Sequence, residues 1–192
     1  KKFSLSDCFL CYHIGITKLA LMIKKILSIL FFLILTNIAN AACDDPLTDG
    51  VDYTNCRFSD GQDLQGSYLP NSNLSFASFI QVNFDKSIMM NSVLAFGTFP
   101  ESTFIRANLY ESNLQGANFE KSDFTNANLT RVNFTGATLI ETNFKNANLM
   151  EANFTHANMI NTSLEGANLI GAIWTNGETC GSDSIGVCNK SN

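Results

Sequence analysis

Ala107-Asn108-Leu109-Tyr110-Glu111-Ser112-Asn113-Leu114-Gln115-Gly116-Ala117-Asn118-Phe119 places a large apolar residue at every fifth position. Outward from this stretch the spacing runs unbroken from Leu64 to Trp174, through Phe84, Phe104, Phe124, Phe144 and Leu164 among others. An α-helix repeats every 3.6 residues and a strand every two, so a period of five requires a corner inside each repeat. Two residues before each large residue stands a small one: Ala ten times, Ser seven, Thr two and Gly once, with Gln62, Val82 and Val132 as exceptions. Positions two apart on an extended piece face the same way. The large and small residues therefore fill a narrow core together, and the residue between them points outward. Two residues after the large one, Gly or Asn recurs, as in Gly66, Asn91, Gly116, Asn126 and Asn146. Those residues suit the positive φ of a type II turn. Glu, Arg or Phe at that place implies a different turn type.

Four repeats per coil fit the pattern best. At a spacing of twenty, Phe84, Phe104, Phe124 and Phe144 form one column and Leu109, Leu129, Leu149 and Leu169 another. Glu101, Lys121 and Glu141 alternate in sign at the same spacing, as do Glu111, Arg131 and Glu151. Opposed charges attract across neighbouring strands and like charges repel. A spacing of fifteen mixes Phe with Leu and loses both ladders. The fold expected is an all-β coil of about five and a half turns over 64–174.

The flanks have a different composition. Met22-Ile23-Lys24-Lys25, the apolar run Ile26 to Ile38 and Ala39-Asn40-Ala41 read as the basic, apolar and cleavage regions of a helical secretory signal peptide over 22–41. Residues 1–21 read as a non-native upstream segment. The competing readings are an uncleaved membrane anchor and lipid attachment at Cys43, although Asn40 stands where lipoprotein sites take an aliphatic residue. Cleavage after Ala41 leaves no membrane span and places the protein outside the cytoplasm, periplasmic or secreted. The remaining chain carries 7 Lys+Arg against 16 Asp+Glu, a net charge of −9. That balance argues against direct nucleic-acid binding, which needs a basic footprint, and against electrostatic attachment to anionic lipid.

Residues 42–63 and 175–192 read as end caps, since a coil of strands needs its open edges covered. They hold Cys43, Cys56, Cys180 and Cys188. With coils stacked at about 4.8 Å the array is about 26 Å long, whereas a disulfide needs Cα atoms within about 7 Å. Cys43–Cys56 and Cys180–Cys188 are therefore the natural pairs, and export permits them.

Units such as Ala107-Asn108-Leu109, Ala117-Asn118-Phe119, Ala127-Asn128-Leu129 and Ala147-Asn148-Leu149 resemble the pentapeptide-repeat family. The flanks Gly50-Val51-Asp52-Tyr53-Thr54-Asn55-Cys56, Trp174-Thr175-Asn176-Gly177-Glu178-Thr179-Cys180 and Ser184-Ile185-Gly186-Val187-Cys188 are similar to exported members with cysteine-bearing end caps. The resemblance implies a right-handed quadrilateral β-helix and no shared catalytic residue. Two functions are expected, the first from the signal peptide, the solenoid and the missing catalytic set, the second from the resemblance. One is an exported scaffold or interaction module for an unidentified protein, with a homodimer as one possible assembly. The other is a nucleic-acid-mimicking regulator of DNA gyrase or topoisomerase, as some relatives are.

The residues point away from an enzyme, a cofactor or a metal. His156 sits at a corner between Gly136 and Asn176, with no nucleophile or orienting acid in its column. No His/Cys spacing suits a metal. The sequons at Asn73, Asn128, Asn133 and Asn153 arise from the repeat itself. Two outward features stand out. Met90, Tyr110, Met150 and Ile170, with Ile80, Ile140 and Ile160, could form an apolar strip, and such strips mark partner contacts. Thr135, Thr155 and Thr175 form a ladder; regular threonine arrays on solenoids can bind ordered water or ice, but ordinary β-surface usage explains three threonines adequately.

Overall fold

The computed structural model describes Cys43 and residues 47–190. The expected upstream segment and signal peptide lie outside the described residues.

From Asp52 to Ile173 the backbone forms a ladder of short parallel bridges. From Asp63 onward each pairs residues twenty apart: Asp63 with Asn83, Asn83 with Thr103, Thr103 with Asp123. Four bridges per coil define four sides. Side one holds Tyr53, Leu74, Leu94, Leu114, Phe134, Phe154 and Trp174. Side two holds Phe58, Phe79, Phe99, Phe119, Leu139 and Met159. Side three holds Leu64, Phe84, Phe104, Phe124, Phe144 and Leu164, and side four Leu69, Met89, Leu109, Leu129, Leu149 and Leu169. Between the ends these side chains are fully buried and line the axis together with the small residues.

The aromatic columns show the register directly. Phe84, Phe104, Phe124 and Phe144 stack with ring centroids 5.1, 4.7 and 5.2 Å apart. Phe58, Phe79, Phe99 and Phe119 do the same on side two at 4.2, 5.3 and 4.9 Å. The two columns meet edge to face, as in Phe119 against Phe124 at 5.2 Å, the geometry in which the positive ring edge meets the negative face.

The coil begins upstream of Leu64. Asp52 pairs with Asn73 and Arg57 with Ser78, each twenty-one residues on. Residues 52–63, read from the sequence as cap, thus open the first coil, which runs on to residue 72. A six-residue step from Phe58 to Leu64 absorbs the extra residue and hides this coil from a strict period of five.

The corners are uniform. Corner residues have positive φ whatever their type: Phe76 59°, Glu101 55°, Arg106 60°, Glu141 55° and Asn126 59°. The expected change of turn at Glu, Arg or Phe does not occur. The ladder explains why: wherever a further coil follows, the corner N–H donates to it, as Glu101 to the Glu120 carbonyl and Arg106 to that of Thr125. One left-handed residue costs about 1–2 kcal/mol, less than breaking that bond and the register beyond it. Gly97, by contrast, is required by space, because a Cβ there would lie 2.6 Å from the Phe99 ring.

Both disulfides are present, Cys43–Cys56 and Cys180–Cys188. After Ile173 the chain reverses. Thr179 pairs antiparallel with Ile173, Ile185 with Asn168 and Lys190 with Cys180, so this segment closes sides four and one of the last coil.

Candidate interaction surfaces

The outward side chains are held by their own strands. Thr135 and Thr155 donate their hydroxyls to Asn133 and Asn153 Oδ1, both at 2.6 Å, and Thr130 donates to Asn128 at 2.8 Å. The Asn amides then climb the coil: Asn128 Nδ2 donates to Asn108 Oδ1 at 3.0 Å and Asn133 Nδ2 to Asn113 Oδ1 at 3.1 Å. This is the physical origin of the sequons, since a hydroxyl two residues after Asn completes the turn. The threonine ladder is therefore tied down at Thr135 and Thr155, with its donors turned into the strand.

One charge ladder closes and the other does not. Arg131 binds Glu151 at 2.7 Å and Glu111 at 3.1 Å. The Tyr110 hydroxyl first, and Arg131 second, hold the Glu111 carboxyl below the usual carboxylate range. Lys121 instead meets Glu120, its chain neighbour, at 3.8 Å, and Glu101 accepts from Gln81 at 2.9 Å. Lys145 reaches Glu165 at 2.9 Å. Such exposed pairs contribute little.

The apolar strip is not continuous. Met90, Tyr110, Met150 and Ile170 follow the side-four residues, whereas Ile80, Ile140 and Ile160 follow those of side two. The columns lie half a coil apart, on opposite sides of a four-sided coil. Only Ile160 is strongly exposed, at 59%; Ile80, Met90, Tyr110, Ile140, Met150 and Ile170 are half-buried.

A different surface emerges. Strands 68–76 and 88–96 wrap side four and side one, one above the other, and contain no Asp, Glu, Lys, Arg or His. Their exposed large apolar members are all aromatic: Tyr68 at 55%, Phe76 at 57% and Phe96 at 51%. Tyr68 stands beside Ile88. Phe76 and Phe96 occupy successive corners and stack at 5.3 Å, and Phe96 lies across Gly116, where a Cβ would meet its ring at 2.6 Å. Glu101, Lys121 and Glu141 lie on the corner between sides two and three and Lys86 and Arg106 on the corner between sides three and four, while Glu111 follows Asn91 one coil on, on the corner between sides four and one. Sequence reasoning passed over Phe76 and Phe96 because they stand outside the period of large residues. The signal available was a bulky apolar residue at a corner that elsewhere takes Asn or Gly.

Among the described residues no group of three or more His, Cys, Asp or Glu could hold a metal ion, and no helix is long and apolar enough to cross a membrane. His156 stands exposed at its corner.

The pattern of pentapeptide repeats matches eight copies, over residues 61–94, 87–126, 127–166 and 147–176, more than half of the chain. The chain belongs to the pentapeptide-repeat family. Among solved structures, this pentapeptide-repeat protein is similar to QnrB1, a plasmid-mediated fluoroquinolone resistance protein, at 23% identity and a TM-score of 0.52; the match covers 65% of this chain and 63% of QnrB1. A pentapeptide-repeat protein of the Arabidopsis thaliana thylakoid lumen matches at 26% identity and a TM-score of 0.37, over 60% of this chain and 63% of that one. Another from the cyanobacterium Cyanothece 51142 matches at 23% identity and 0.41, over 64% and 90%. This chain thus spans under two thirds of the length of the first two. The likeness to QnrB1 shows the shared fold. No curated protein matches the sequence.

Proposed function

We propose that this pentapeptide-repeat protein is an exported, non-enzymatic scaffold that binds another protein through the uncharged aromatic surface of strands 68–76 and 88–96. The observation that carries the reading is the pair Phe76 and Phe96. Each is more than half exposed in a left-handed conformation that Asn or Gly would adopt at lower cost. Folding gains little from them, whereas exposed aromatic residues in an uncharged setting suit the desolvated centre of a protein contact. Two disulfides at the ends support an oxidising compartment, periplasmic or secreted.

The test replaces Phe76 and Phe96 together with Asn, which keeps the corners comfortable and removes the rings. The variant should fold at least as stably as the parent and lose the protein captured by the parent from the extracytoplasmic fraction. Undiminished capture overturns the assignment of this surface. The competing reading, a duplex-mimicking regulator of gyrase or topoisomerase, calls for a continuous acidic face. Here the salt bridges of Arg131 and Lys145 interrupt the acidic residues, which favours the scaffold. Stoichiometric inhibition or protection of gyrase in a supercoiling assay would reverse that preference.

A further inference from the structure

The C-terminal end of the coil is closed on two sides and open on two. On sides four and one the reversed segment satisfies the last coil: Leu169 N–H donates to the Ser184 carbonyl at 2.9 Å, Gly171 to Cys180 at 3.0 Å and Trp174 to Glu178 at 2.7 Å. On sides two and three the equivalent groups have no such partner among the described residues. One coil earlier, Leu139, Glu141, Phe144 and Asn146 donate to Asn158, Ile160, Ser163 and Glu165 at 2.8–2.9 Å. Among the described residues, the N–H groups of Met159, Asn161, Leu164 and Gly166 and the carbonyls of Ala157 and Thr162 have no such partner. Met159 and Leu164, at the top of their columns, are only partly buried. Exposed Ile160 stands on this edge, and the reversed segment borders its far end at Gly186, where a Cβ would lie 3.4 Å from the Leu164 carbonyl and 3.5 Å from Gly166 N, with exposed Ile185 beside it.

We propose that this edge is a strand-acceptor site, filled by an extended segment of a separate protein. The chemistry defines the occupant. Only a peptide backbone supplies carbonyls and N–H groups at this spacing, the recognition mode in which a partner adds a strand to an exposed sheet edge. The columns ending at Met159 and Leu164 add a side-chain requirement: apolar residues five apart, each with a small residue two before it. A second copy of this chain fits poorly. The edge presents four donors and two acceptors, so pairing it with its own twin sets donors against donors. Head-to-tail continuation in register would lay the second copy's residues 52–54 onto the place already held by Ile173–Thr175. The site deepens the interaction-module reading and rests on it, but it lies on different residues from 68–96, so each can fail alone.

The probe is this chain's own interior strand pair, residues 117–126, appended after Asn192 through a flexible Gly/Ser linker. Tethering gives an effective concentration on the order of millimolar. Amide hydrogen exchange is read by NMR. The expected result is slowing of about tenfold or more at Met159, Asn161, Leu164 and Gly166, with Leu129 and Leu149 unchanged. The slowing should disappear when both Phe residues of the appended strand are replaced by Asp. Unchanged exchange at the four amides with the tethered strand overturns the site. Concentration-dependent protection of the same amides in the untethered protein also overturns it, because the occupant would then be a second copy.

Discussion

Phe124 and Leu164 belong to the same column of the same side, yet they live in different environments. Phe124 is fully buried, with Phe104 below it at 4.7 Å and Phe144 above it at 5.2 Å. Leu164 has Phe144 below it and no coil above, and is only partly buried. The repeat unit is nearly the same at both places. What differs is the neighbour, which shows that a repeat in this fold is stable through the coils next to it rather than in itself.

The largest expected effect tests that difference. Phe124→Ala should destabilise the protein by about 3–5 kcal/mol, because it leaves a cavity between two rings that cannot collapse. Leu164→Ala should cost only about 1–2 kcal/mol, since part of its surface already meets water. Chemical denaturation of the two variants makes the comparison, and equal losses would break it.

The second prediction concerns what closes the end. Removing the short Cys180–Cys188 loop should cost about 2–3 kcal/mol by the chain-entropy account. Exchange should then rise at Leu169, Gly171 and Trp174, whose acceptors lie in the reversed segment, and stay slow at Leu129. Uniform acceleration throughout would mean that the ends and the middle unfold as one unit.

A smaller effect separates two interior columns. Ser102 donates its hydroxyl to the Phe79 carbonyl at 2.9 Å, whereas the buried Ser87 hydroxyl has no partner. Ser102→Ala should lose about 1 kcal/mol, and Ser87→Ala should gain about the same by removing an unsatisfied group. Thermal denaturation reads both signs.

The smallest effect is electrostatic. Because folding depresses the Glu111 pKa, its contribution to stability is present above the unfolded pKa of about 4.3 and is lost as pH falls through the lower folded value. Tyr110→Phe removes the largest cause and should raise the Glu111 pKa toward its ordinary value, as followed by carboxyl NMR.

Much of this fold was legible because period five and spacing twenty are set by the strongest local force, burial of one large residue per side. The cysteine pairs followed, since a rigid coil limits which thiols can meet. The first coil was hidden by a single extra residue between Phe58 and Leu64, which slips the frame without disturbing the stacking of Phe58 on Phe79. The corners at Glu101 and Arg106 were misread because residue preference was weighed alone, while the inter-coil hydrogen bond at each corner overrides it. The apolar strip failed because Met90 and Ile80 are ten residues apart, which is near in sequence but opposite across a square. Phe76 and Phe96 escaped because their significance depends on exposure, which no period encodes.

Stacking at twenty residues per coil is the central claim, and a distance between spin labels at Gln81 and Asn161 tests it most directly. Both occupy the same corner column, four coils apart, so a four-sided coil places their backbones about 19 Å apart at about 4.8 Å per coil. A narrow distribution centred near that distance, allowing for the label arms, is the expected result. A distance near 26 Å, the value for about fifteen residues per coil at the same rise, or a broad distribution would contradict it.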